Sequence, residues 1–191
     1  MGVESGSQTI LDAMDKGLLV DDVVAATERL RAADIRACYF LQFGYPGEGW
    51  KEVQQTVSLV RATRPDDIGV SVSYPLPNTR FFEKVQAELG RKRNWIDSDD
   101  LSVMFRGAYT DGFYHALRDA LHAEVNSWHL TTSTTNESGR VAELWRKVNE
   151  LEPLARNAEA TDFYLHDSPR VITSESQFVP LQHLSRALRE V

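Results

Sequence analysis

Three short stretches of this chain combine residue types that could do chemistry: Glu4-Ser5-Gly6-Ser7, Phe43-Gly44-Tyr45-Pro46-Gly47-Glu48 and Tyr74-Pro75-Leu76-Pro77-Asn78-Thr79. In the first, a carboxylate that only accepts hydrogen bonds stands beside hydroxyls that both accept and donate. The same residues also suit a plain helix start, with Ser7 as N-cap. In the second, glycines let a backbone approach a ligand closely. Glu48 there suits the N-terminus of a following helix by ~0.3 to 1 kcal/mol. In the third, two prolines stiffen the turn, as the wall of a pocket requires.

Other candidates are weaker. His115, His122 and His129 recur every seven residues, two helical turns or roughly 10 Å apart, too far for one metal ion. Cys38 reads as a buried small hydrophobe in mid-strand. Asp21-Asp22, Asp66-Asp67 and Asp99-Asp100 are explained by caps and turns. No Ser/His/Asp arrangement, phosphate loop or zinc spacing is present.

The elements around the motifs alternate. Helices are predicted over residues 8–16 and 21–33, the second capped by Asp21, then a strand over 35–43, a helix over 50–63 and a strand over 68–74. In the first strand Cys38 and Phe40 share one face and Tyr39, Leu41 and Phe43 the other, the pattern of a strand covered on both faces in a parallel sheet. Helix, strand, helix, strand implies right-handed crossovers and α/β architecture. Each motif then stands at a strand-to-helix turn, where ligands bind in such sheets.

Helices are further predicted over 80–89, 111–126, 139–158 with Pro153 bending or splitting it, and 181–191. Residues 131–138 read as a polar linker, and 91–106 show no clear pattern.

The chain has 191 residues, 42% of them apolar, and a net charge of −7. That is enough to bury a core. The acidic balance speaks against a nucleic-acid partner, whose phosphates call for clustered Lys and Arg, and Arg91-Lys92-Arg93 reads as a solvated face. A single cysteine excludes a disulfide framework and suits a cytoplasmic location. No apolar run approaches the ~20 residues of a membrane span.

In their order and placement, the three motifs resemble the second half of a radical S-adenosylmethionine (SAM) enzyme, of the branch that often carries a cobalamin-binding domain ahead of the radical domain. The similarity covers roughly residues 2–79, and weakly 108–125. It implies an α/β fold: the second half of a partial (β/α)6 barrel with parallel strands in residues 1–90, followed by a mainly α-helical C-terminal region in 91–191. It nominates Glu4 and Ser5 for the ribose and methionine portions of SAM, and Phe43, Gly44, Tyr45 and Pro46 for the adenine. Glycine is usual in the family where Asn78 stands, so Asn78 is expected at positive φ.

The family's cofactors are SAM and a 4Fe-4S cluster, with cobalamin in some full-length members, and its chemistry is reductive SAM cleavage to a 5′-deoxyadenosyl radical, sometimes with methyl transfer. Its cluster needs a CxxxCxxC loop that one cysteine cannot supply. The chain is therefore expected to be a fragment, inactive alone, that works with a missing N-terminal half or a partner chain on a small-molecule substrate that its residues do not identify. The alternatives are a noncatalytic helper or partner-binding α/β domain, and an unrelated α/β enzyme in which the second motif is only a turn.

Overall fold

The computed structural model describes residues 1–89, 101–129 and 135–156. Strands β1 (Gly2–Glu4), β2 (Cys38–Phe43) and β3 (Asp67–Val72) form a parallel sheet in the order β1-β2-β3. Strand β2 pairs with β3 in continuous register from Cys38 against Asp67 to Phe43 against Val72. Its pairing with β1 slips between Gly2 and Glu4, and Glu4 takes a left-handed φ of 61° there.

Helices α1 (Gln8–Ala13) and α2 (Val20–Ala32) connect β1 to β2, and α3 (Trp50–Thr63) connects β2 to β3. Right-handed crossovers between strands that never reverse order place all their helices on one face. Burial agrees: Val3, Tyr39, Leu41, Phe43, Ile68 and Val72 are buried, whereas Gly2, Cys38, Phe40 and Ser71 are exposed.

This corrects two expectations. Among the described residues strand β2 is covered on one face, and Cys38 lies exposed on the other beside Phe40, which is 65% exposed. The reason is size: Tyr39, Leu41 and Phe43 offer the larger apolar face, so burying it gains more, at about 1.5–3 kcal/mol for each large side chain. The Tyr39 hydroxyl is hydrogen-bonded to Thr27 of α2, which is how a phenol is accommodated in that core.

Local chemistry sets the helix limits. Helix α2 begins at Val20, with Asp22 rather than Asp21 accepting the Leu19 N–H at 3.3 Å. Arg64 ends α3 in the left-handed conformation, as Pro65 disfavours αR before it. Helix α4 (Arg80–Val85) is capped by the Thr79 hydroxyl and runs into a 3₁₀ turn at Gln86–Glu88.

Helix α5 (Asp111–Ser127) buries the predicted Phe113, Leu117, Ala120, Leu121 and Val125. Helix α6 (Thr135–Ala155) begins four residues before the predicted Gly139, because a polar run with Glu137 in its first turn suits a helix N-terminus. Pro153 stands within that helix, near its end.

One apolar cluster runs from Val3 to Ala155. Glu124 holds its helical side together: it takes two bonds from Arg61 of α3, at 2.8 and 2.9 Å, and one from the Trp145 indole of α6 at 2.6 Å. The run Arg91-Lys92-Arg93 and the predicted helix over 181–191 lie outside the described residues. No helix among the described residues is long and apolar enough to cross a membrane.

Candidate functional site

The carboxyl ends of β1, β2 and β3 lie side by side, so the loops of residues 4–7, 43–49 and 73–79 form one edge. Tyr45 ties the loops together. Its hydroxyl donates to the Ala13 carbonyl at 2.9 Å, and its ring lies 4.9 Å from that of Phe81 on α4. Burial and the nearby Asp15 raise its pKa.

Glu4 projects on the side of the sheet away from Val3, where Lys16 pairs with its Oε1 at 2.9 Å. Ser5 faces the other way and is fully buried. Its Oγ lies 3.2 Å from the Thr56 hydroxyl of α3 and accepts the Ser7 N–H at 3.1 Å. The Gly6 N–H donates to the same Thr56 oxygen at 2.9 Å. Gly6 packs so closely on α3 that a Cβ there would stand 2.6 Å from Gln55 O and Thr56 Cα. Ser7 occupies the N-cap of α1 as expected, but its side chain makes no capping bond, and its buried Oγ has no partner among the described residues.

The second loop turns on glycine. Gly44 has φ 76°, and a Cβ on it would meet the Tyr114 hydroxyl of α5 at 3.0 Å. Its N–H donates to Oε2 of Glu48, which is 1% exposed. Burial pushes the Glu48 carboxyl up to about 8, against the lowering effect of the Gly44 N–H and with a further push from Glu52. Burial also raises the pKa of Tyr114, followed by the charge of Glu48.

In the third loop Asn78 has φ 67°, as the motif led one to expect. Ser73 donates its backbone N–H to the Phe43 carbonyl at 2.7 Å, which continues the sheet into the loop. The buried side-chain oxygens lacking a partner among the described residues are Ser7 Oγ, Glu48 Oε1, Ser73 Oγ and Tyr114 OH. Three of the four follow the carboxyl ends of the three strands, so uncompensated polarity collects at this edge.

Of the six nominated residues, Ser5, Phe43, Gly44 and Pro46 are buried, while Glu4 and Tyr45 keep partial contact with solvent. Phe43 points into the helix-side core, so its part at the edge is its backbone. Sequence reasoning missed Lys16, Thr56 and Tyr114, each twelve or more residues from the motif residue it touches. Thr56 left one trace, a small polar residue within the apolar stripe of Val53, Val57 and Val60.

Among the described residues no group of three or more His, Cys, Asp and Glu side chains could hold a metal ion. The donor set does not fit a 4Fe-4S cluster, since Cys38 is the chain's single thiol and sits on a strand.

No family model matches the chain. Over 76 residues, 40% of the chain, it is 29% identical to an uncharacterized protein of Methanocaldococcus jannaschii, covering 23% of that protein. Over 91 residues, 45% of the chain, it is 36% identical to the tRNA-2-methylthio-N(6)-dimethylallyladenosine synthase of Paracoccus denitrificans, covering 20% of that enzyme. The chain thus matches about a fifth of the length of these curated relatives.

Proposed function

We propose that this chain supplies the nucleoside-binding side of a radical SAM core and acts together with a segment or partner that carries the cluster loop. The observation that carries this reading is the sheet: three parallel strands in sequential order, with helices on one face, deliver the three motif loops to one edge in the order in which the motifs occur. That is the arrangement of consecutive strands in a β/α barrel. The partial similarity to a tRNA methylthio-adenosine synthase, a radical SAM enzyme, supports the same family.

In this role the backbone of residues 43–46 would flank the adenine, with Gly44 permitting close approach. Glu4 would accept from ribose hydroxyls or the amino group through its carboxylate, of which Lys16 engages Oε1. Ser5 and Thr56 would hold the first loop against α3 and thereby fix where Glu4 stands. SAM would bring the cleavable sulfonium; the chain's own residues would bind and orient its nucleoside.

A noncatalytic helper domain is the second reading, favoured by the burial of four of the six nominated residues. Anaerobic reconstitution with iron and sulfide, followed by dithionite and SAM, tests the main reading. The expected outcome is no stoichiometric cluster and no 5′-deoxyadenosine from the chain alone. Turnover by the isolated chain would overturn it.

A further inference from the structure

The amino ends of β2 and β3, opposite the three loops, adjoin two neighbouring clefts of about 120 and 320 Å³. Arg31, Arg64 and Asp66 line both; Asp34 and Arg36 line the smaller, Trp128 and His129 the larger. Helix ends build this corner. Helix α2 runs out before Asp34 and α3 before Arg64, and both residues take left-handed φ values, 56° and 46°.

The guanidinium groups here are positioned but not spent. One terminal nitrogen of Arg31 donates to the carbonyls of Thr63 at 2.5 Å and Arg64 at 3.2 Å, which leaves its other N–H groups without acceptors among the described residues. The Arg64 guanidinium lies 5.6 Å over the Trp128 ring, and its N–H groups have no acceptor among the described residues. Of the opposing carboxylates, Asp66 is committed to the Ala37 N–H at 2.7 Å. Three arginines and two aspartates thus line the two clefts, a local reversal in a chain of net charge −7.

We propose that these joined clefts form an oxyanion site for a phosphate group, bound through Arg36, Arg64 and the free edge of Arg31. Planar guanidinium forks match phosphate oxygens bidentately, and the indole beneath Arg64 holds its fork flat without consuming a donor. The site is independent of the function proposed above, because it lies at the other end of the strands. The phosphate could belong to a free phosphorylated small molecule or to a phosphodiester backbone.

The test is an NMR titration of the full chain with inorganic phosphate, reading the Trp128 indole and Arg side-chain N–H resonances. Saturable shifts are expected with a dissociation constant of about 1 to 10 mM. The double variant R36Q/R64Q should weaken binding at least about tenfold, since two charge-assisted bonds are lost. R61Q, whose guanidinium is engaged by Glu124, should leave it unchanged. If R64Q disturbs the fold, the exposed Arg36→Gln alone carries the comparison. A short oligouridylate that moves the same resonances more tightly, with strong salt dependence, would identify a phosphodiester source; failure to compete with phosphate would identify a small molecule. Absence of shifts at these residues up to about 20 mM phosphate, or equal shifts in R36Q/R64Q, would overturn the site.

Discussion

Glu48 sits with its carboxyl group sealed beneath the second loop, one oxygen taken by the Gly44 N–H and the other without a partner among the described residues. Its folded-state value near 8 lies above the ordinary 4.5, so the folded protein favours the protonated form. That contribution to stability is fully present below the unfolded value. It is lost as pH rises from about 4.5 through about 8, at no more than about 1.4 kcal/mol per pH unit. Glu48→Gln keeps an acceptor for Gly44 and cannot ionise. Denaturant unfolding should therefore find the variant close to wild type at pH 5 and more stable than it at pH 8.5; parallel pH profiles for the two proteins would show that Glu48 is not held neutral. The sequence led one to expect a helix-dipole carboxylate here. It gave no hint of burial, because the residue that closes over the loop, Tyr114, comes from a helix 66 positions later (114 minus 48).

Among the elements, the contact between the first loop and α3 sets where Glu4 stands. The Gly6 backbone lies against the turn of α3 at Gln55 and Thr56, with the Gly6 N–H and the Ser5 hydroxyl both on the Thr56 oxygen. Gly6→Ala forces a methyl group into backbone that cannot yield locally. It should cost about 1–3 kcal/mol or more and displace the loop, seen as a lower unfolding midpoint and shifted amide resonances at Glu4 and Ser5. An unchanged midpoint would mean that the loop does not pack on α3 as described. Helix α3 was legible to the residue, since Gly/Pro on one side and Arg64-Pro65 on the other punctuate its Val53, Val57, Val60 stripe. The start of α6 was not, because Thr135 to Ser138 have linker composition and Glu137 in the first turn is the one mark of a helix N-terminus there.

Across the whole molecule, the parallel pairing of the strands could be anticipated from the sequence, but which face of the sheet the helices cover could not. Alternation in β2 marks two sets of residues without saying which set meets the helices; packing decided for Tyr39, Leu41 and Phe43. The open face carries Phe40 across Gly69, whose missing side chain leaves room for the ring, and among the described residues β1 and β3 pair only with β2. Exposed apolar surface beside unpaired edges favours association. The chain should self-associate in sedimentation, and Phe40→Ser should reduce that association without lowering the unfolding midpoint, as it removes no helix-side contact. Equal association in the variant would place the contact elsewhere.

The proposed function requires the loops of residues 4–7 and 43–49 to form the nucleoside side of a SAM site. An NMR titration of the ¹⁵N-labelled chain with SAM tests it most directly. Without cluster ligands for the methionine groups, and with each lost charge-assisted contact costing ~1.5 to 3 kcal/mol, binding should be in the millimolar range. Amide shifts should centre on Glu4, Gly44 and Gly47, and Glu4→Ala should weaken them. Shifts confined to another surface, or none at these loops at about 10 mM SAM, would contradict it.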